Sequence, residues 1–261
     1  MCYNEISMKR LIIILTFFLI LINGLSVSAA SKIVTKEIKV QAADGFSLIA
    51  TLQYPNEKQK KEFPTVVLLH SLGYSSDWWE DLPENLLSKG YAVLRIDFRG
   101  HGKSVYNAKL TRVSWTNMKN QAYAKYTDDV ISIINYVKTE NKRKFFDNWA
   151  IVGSDIGAST AVCVANQIEY KPKTLVLLSP VVNAKGIYVP VKLAELTDID
   201  VLNIVGKHDT PALSTYEYLK KFAQSTFALY TSESKVNGML MLKNDSELSN
   251  IITGWIAQYL K

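Results

Sequence analysis

Imidazole is scarce in this sequence. Its 261 residues carry three histidines, His70, His101 and His208, and none follows position 208. Their spacing matches no metal-ligand pattern, so no metal and no cofactor is expected. Cysteine is scarcer still. Cys2 lies in a leader-like segment and Cys163 is the only other one, which excludes an intrachain disulfide once that leader is removed. Cys163, on a predicted helix, reads as a buried and inert thiol. Internal repeats and low-complexity tracts are absent, and 48% hydrophobic with 21% charged residues is ordinary globular composition. Neither sign of charge dominates: 30 basic against 24 acidic residues give +6. The densest basic cluster, Lys142-Arg143-Lys144, follows a predicted helix and reads as a partner for its C-terminal dipole, so no nucleic-acid partner is expected.

One long apolar run is present, Leu11 to Ile22, interrupted by Thr16, preceded by Lys9-Arg10 and followed by Val27-Ser28-Ala29-Ala30. A basic flank, a short greasy core and small residues at −3 and −1 describe a secretory signal with cleavage after Ala29 or Ala30. The run is shorter than the roughly 20 residues of a spanning helix. Residues 1–30 are therefore expected to be a signal peptide and 31–261 the mature domain, exported to the cell envelope, periplasm or medium. Membrane contact is expected only through this segment, if it stays uncleaved. Removing it takes away Lys9, Arg10 and Glu5 and leaves 28 basic and 23 acidic residues, a net +5.

The mature part opens with two strands, Ile33–Val40 and Phe46–Tyr54, around an Asp44-Gly45 turn. Pro64–Leu69 is a continuous apolar run, as in a strand buried on both faces of a parallel sheet. Further strands are expected at Tyr91–Asp97, Trp149–Val152, Thr174–Leu178, Val201–Val205 and Phe227–Tyr230. Helices are expected over about 78–88, 120–140, 157–168, 213–222 and 246–260. Strand and helix alternate from Pro64 onward, which predicts an α/β fold with a mostly parallel sheet and helices on both faces. Ligands in such sheets bind beyond the carboxyl ends of the strands. His70, Arg99, Asp155, Ser179, Asp209 and Asn237 are expected on that edge. The long loop 105–119 carries Trp115, a candidate ligand contact, whereas Trp78 and Trp79 read as helix-face core. Residues 183–198 are too few for a cap domain, so the lid is short and the pocket open.

The sharpest local pattern is Gly153-x-Asp155-x-Gly157, between a buried strand and a helix of small residues. Two glycines permit a corner so tight that the middle side chain is pushed out above the sheet. Together with His70-Ser71-Leu72-Gly73, Lys89-Gly90-Tyr91-Ala92-Val93, Asp97-Phe98-Arg99-Gly100-His101-Gly102-Lys103-Ser104 and Val205-Gly206-Lys207-His208-Asp209, this resembles the α/β-hydrolase superfamily. The likeness is to its small esterase, dienelactone-hydrolase-like and serine-aminopeptidase-like members, over about Ile33 to Lys261. The resemblance implies that the corner residue is the nucleophile, that Asp209 is the acid and that a base sits just before the closing helix. It also implies an oxyanion corner built from the backbone N–H groups of Ile156 and of Leu72 or Ser71.

This chain departs from that pattern twice. Asp155 stands where the family has Ser, and Asn237, in Asn237-Gly238, stands where it has His. The triad positions are thus Asp155, Asp209 and Asn237. An asparagine amide neither takes nor releases a proton near neutral pH, so Asn237 cannot be a general base. Some superfamily members use an aspartate nucleophile, but they still need a His to direct water onto the covalent ester. Ser154, Ser159 and Ser71 are neighbouring hydroxyls with no His implied beside them. The leading expectation is a secreted hydrolase-like protein that binds a small ligand or a partner without turnover, with the Asp155 carboxylate filling the oxyanion corner. An active hydrolase of carboxyl-ester or related bonds through Asp155 is the second expectation, and a purely interaction-based surface protein the third. The oligomeric state is left open.

Overall fold

A computed structural model describes residues 32–57, 59–141 and 144–260. The expected signal segment and Lys142-Arg143 lie outside the described residues. The chain opens with the antiparallel pair β1 (Ile33–Gln41) and β2 (Ser47–Pro55). Then come β3 (Thr65–Leu69), helix α1 (Leu82–Ser88) and β4 (Ala92–Asp97). Two helices, α2 (Asn120–Tyr123) and α3 (Tyr126–Glu140), lead to β5 (Trp149–Ser154) and α4 (Ile156–Gln167). After β6 (Thr174–Leu178) a two-stranded hairpin, β7 (Asn183–Ala184) and β8 (Ile187–Tyr188), and helix α5 (Val189–Ala194) form the short lid. The chain closes with β9 (Asp200–Gly206), α6 (Thr210–Lys220), β10 (Phe227–Ser232), α7 (Met241–Asn244) and α8 (Leu248–Ile256).

Eight strands make one sheet in the order β1-β2-β4-β3-β5-β6-β9-β10. All neighbours from β4 to β10 are parallel, and β2 joins β4 antiparallel. The all-apolar stretch Val66–Leu69 is central, and all five residues of β3 are buried. Its alternate side chains serve two cores. Val67 and Leu69 pack with Val130 and Ile134 of α3 and Ala158 and Ala161 of α4, while Val66 and Leu68 pack with Leu82 and Leu86 of α1 and Leu248 and Ile252 of α8. A one-residue slip of β3 would exchange the two sets of side chains. At about 25 cal/mol per Å² of apolar surface, this double burial dominates the folding free energy.

Three helix expectations need correction. The helix expected from Trp78 starts at Leu82, because Glu80 is left-handed (φ 48°) and Pro83 sits in the first turn. Both tryptophans therefore precede the helix: Trp79 is fully buried, but Trp78 is 48% exposed and is not core. The single helix expected over 120–140 is two, broken around Ala124-Lys125. The segment 183–198, expected to be irregular with at most a short helix, carries the β7–β8 hairpin as well as α5.

Candidate active site at the strand-to-helix corner

Parallel strands β3, β5, β6 and β9 end along one edge, and the corner at Asp155 projects from it. The corner is built by close approach. A Cβ on Gly157 would lie 2.0 Å from the Leu69 carbonyl oxygen, and one on Gly153 would lie 2.4 Å from that of Gly157. Neither position accepts a side chain, because helix α4 leaves directly under β3. Asp155 adopts φ 53° and ψ −115°, a conformation that costs an L-residue free energy and holds only where the surroundings over-determine it. Its N–H donates to the Leu178 carbonyl at 3.0 Å, and its own carbonyl accepts from Ala158 at 3.0 Å. The backbone on both sides of the strain is thereby tied down.

The Asp155 carboxylate turns toward the His70–Gly73 turn. Its Oδ2 accepts the Leu72 N–H at 3.2 Å. Burial pushes this carboxyl group up from its ordinary value, opposed by the N–H groups of Leu72 and Ile156 and by the positive charge of Lys185. The expected alternative donor is turned away: the Ser71 N–H points to Met239 Sδ at 3.4 Å. Leu72 and Ile156, not Ser71, are therefore the amides that meet the carboxylate. Ser71 contributes its hydroxyl, 2.7 Å from the buried Ser154 Oγ. That pairing locks Ser154 beneath the corner, where the sequence had left it as a neighbouring hydroxyl. Ser159 is buried in α4 and donates to the Val181 carbonyl at 3.3 Å.

Asp155, Asp209 and Asn237 line one cavity of about 340 Å³, with Ser71, Leu72 and Ser179. No hydrogen bond joins the three triad positions among the described residues. Asp209 caps α6, its Oδ1 accepting the Ala212 N–H at 3.0 Å. Asn237 is exposed and opens a short turn. Gly238 N–H donates to Ser179 Oγ at 2.9 Å. That bond and the Ser71–Met239 contact pin the Asn237 loop to the site. Of the residues expected on this edge, Arg99 does not face the cavity. It is buried and paired with Asp129 and Asp44.

The histidines divide by burial. His70 is fully buried; its Nε2 accepts the Phe98 N–H at 3.1 Å, which makes Nδ1 the donor to the Ser71 carbonyl at 2.7 Å. His101 Nε2 accepts the Gly73 N–H at 3.0 Å, and its Nδ1 faces the Arg99 carbonyl at 3.2 Å. Burial lowers both rings to about 4, so both are neutral struts of the turn. His208 is exposed and lines a neighbouring groove that shares Asp209, Asn237 and Leu240 with the site. Sequence reasoning missed Met239 and Lys185. Nothing local marks a methionine as a hydrogen-bond acceptor, and Lys185, in the turn between β7 and β8, acts on Asp155 only through its charge.

This architecture is shared with known proteins. The serine aminopeptidase S33 pattern matches residues 60–216, more than half of the chain. The chain belongs to the serine aminopeptidase S33 family. A serine hydrolase-like protein of Dictyostelium discoideum is 23% identical over 143 residues, which are 55% of this S33 chain and 34% of that relative. The chain thus spans about a third of the length of the curated relative it matches. An esterase from Exiguobacterium antarcticum superposes with a TM-score of 0.65 at 16% identity, over 85% of this chain and 100% of that one. A dienelactone hydrolase from Anabaena variabilis gives 0.65 at 15% identity, over 87% and 99%. An acylaminoacyl peptidase from Pyrococcus horikoshii gives 0.70 at 12% identity, over 92% of this chain and 44% of that one. At such identities the structural likeness shows the α/β-hydrolase fold. Within the matched residues the corner carries the Asp155 carboxylate, and Asn237 lies beyond them.

Proposed function

We propose that this S33 chain is an exported, hydrolase-like protein that holds a small ligand without turning it over, and that the ligand is a cation or a hydrogen-bond donor. The observation that carries the reading is the Leu72 N–H to Asp155 carboxylate bond of 3.2 Å. The corner that would stabilise a developing oxyanion is filled by the protein's own anion. Two carboxylates, Asp155 and Asp209, line the cavity, and among the described residues no lysine or arginine does. An ammonium or amide ligand would find acceptors there, whereas an acyl anion would meet like charge. Asn237 supports the absence of turnover, since it cannot relay a proton.

The experiment that tests this is turnover of chromogenic carboxyl esters and of halide-releasing substrates by the wild type and by the double variant Asp155→Ser, Asn237→His. No turnover by the wild type together with esterase activity in the variant is the expected outcome. Wild-type hydrolysis at an enzymatic rate would overturn it. A phosphonate bound at Leu72 and Ile156 in the wild type would refute the filled corner. Export is tested by the mass of the protein recovered outside the cytoplasm, expected to begin at Ala30 or Ser31.

A second reading is an ester-bond hydrolase with Asp155 as nucleophile. It is favoured by His208, whose groove adjoins the site cavity at Asp209 and Asn237. In that reading Asp155 attacks the acyl carbon, the alkoxide departs with its electron pair and takes a proton from water, and His208 must direct a water onto the resulting acyl-aspartyl anhydride. A mass increment on Asp155 in His208→Gln, absent in the wild type after substrate exposure, would favour it.

A further inference from the structure

The Leu72-Gly73 turn has a second cavity on its other side. It measures about 280 Å³, and Tyr74, Trp78, Arg112 and Trp115 are among its lining residues. Tyr74 lines both cavities, so a single turn separates them. Consecutive amides face opposite ways: Leu72 N–H toward Asp155, Gly73 N–H toward His101.

The two cavities have opposite charge. The Asp155 cavity is lined by two carboxylates. Among the described residues, Arg112 is the only side chain of the second cavity with a full charge, since His101 is held neutral by burial and by accepting the Gly73 N–H. The Arg112 guanidinium makes no hydrogen bond or ion pair among the described residues. It contrasts with Arg99, which is fully engaged by Asp129 and Asp44. An arginine fork without a partner at a concave site is suited to a bidentate carboxylate.

Tyr74, Trp78 and Trp115 supply its aromatic surface, and Ser75, Val105, Val113 and Ser114 line the rest. Trp115 stacks on His101 at 5.6 Å and 12°, and its indole rests against Gly73, where an added Cβ would come within 3.1 Å. Its backbone is fixed on both sides, with N–H to the Gly100 carbonyl at 3.1 Å and the carbonyl accepting Tyr123 Oη–H at 2.7 Å. Trp78 meets Tyr74 edge to face at 5.2 Å and 75° and is left 48% exposed. A large tryptophan half in water, a fixed one and an unpartnered guanidinium line the same cavity, and they offer a ring apolar surface and its acid group one anchor.

We propose that this cavity is a second ligand site, separate from the Asp155 cavity, and that it takes a small planar carboxylate, an aromatic ring bearing an acid group. The carboxylate pairs with Arg112 and the ring lies against Trp78 and Trp115.

Calorimetric titration of the full chain with benzoate, against benzyl alcohol and benzylamine of similar shape, tests this. Benzoate is expected to bind with Kd of about 1 mM or tighter and about tenfold more tightly than the alcohol. Arg112→Gln should remove that preference, and Trp78→Leu should weaken benzoate by about threefold to tenfold. Both substitutions fall on exposed side chains, so folding is retained. Benzoate affinity in Asp155→Asn should stay within about twofold of the wild type. Equal binding of acid and alcohol, an unchanged Arg112→Gln, or no benzoate binding at all would overturn the proposal. Marked tightening in Asp155→Asn would also overturn it, because it would place benzoate at the neutralised corner of the Asp155 cavity. Both of the turnover readings above survive any of these results.

Discussion

Asp129 and Asp155 are two carboxylates largely removed from water in one fold, and burial works against the charge of each. Asp129 is answered by a full counter-charge. Arg99 Nε and Nη2 each lie 2.5 Å from its oxygens, and Arg99 Nη1 reaches Asp44 at 2.8 Å. Asp44 in turn is held well below the usual carboxylate range, chiefly by Arg99, with Lys125 adding to it against the cost of burial. Asp155 is answered by backbone N–H groups and by the more distant charge of Lys185. The difference separates two uses of a buried acid. A carboxylate matched by a bidentate arginine staples the start of α3 to the β1–β2 turn. One met only by amides at a strained corner keeps acceptor capacity facing a cavity.

The widest gap between the two should open on truncation. Asp129→Ala leaves Arg99 buried without its main partner and is expected to cost about 3–5 kcal/mol, read as a lowered denaturant midpoint. The paired change Arg99→Met, Asp129→Leu should cost less than the single one. An Asp129→Ala protein as stable as the wild type would erase the distinction.

Acid should strike the corner next. His70 and His101 have folded values near 4 against 6.5 for the free ring. The unfolded chain therefore binds more protons between these limits. The stability contribution is whole above about 6.5 and is lost as pH falls toward 4, on the order of 3 kcal/mol for each ring. Stability curves from pH 7 to 4 measure it, and replacing either ring with glutamine should flatten them. A flat wild-type profile would mean that neither ring is a neutral strut.

Asp155→Asn should give the smallest effect and the opposite sign. Above its raised folded value the wild type keeps an ionised carboxylate out of water, so the amide should stabilise at pH 7 by no more than about 1 kcal/mol. That gain should shrink as pH falls through the raised value and Asp155 itself becomes neutral. Loss of stability in Asp155→Asn at pH 7 would show that the carboxylate's bonds to Leu72 and Ile156 outweigh its burial.

Periodicity and motif spacing made the sheet legible. Val66–Leu69 reads as a two-faced central strand because every residue is apolar, and Gly153-x-Asp155-x-Gly157 reads as a corner because only glycine fits both approaches. The helix boundaries were less legible. Glu80 takes a left-handed conformation that its residue type does not announce, so the helix starts after both tryptophans, and Trp78 lines a cavity and is not core. Arg99 was expected at the ligand edge by strand position alone, yet its side chain turns inward, because Asp129 arrives from a helix 30 residues later.

The order of elements and the tight corner at Asp155 follow from the amino-acid sequence, because strand burial and glycine spacing are local properties; Asp209 and Asn237 were singled out by the family resemblance. The tertiary structure decided which amide meets the Asp155 carboxylate, where each imidazole spends its nitrogens, and that one turn divides an acidic cavity from a basic one. Those outcomes depend on side chains brought together from distant segments, and their distances are set only when both faces of the sheet close.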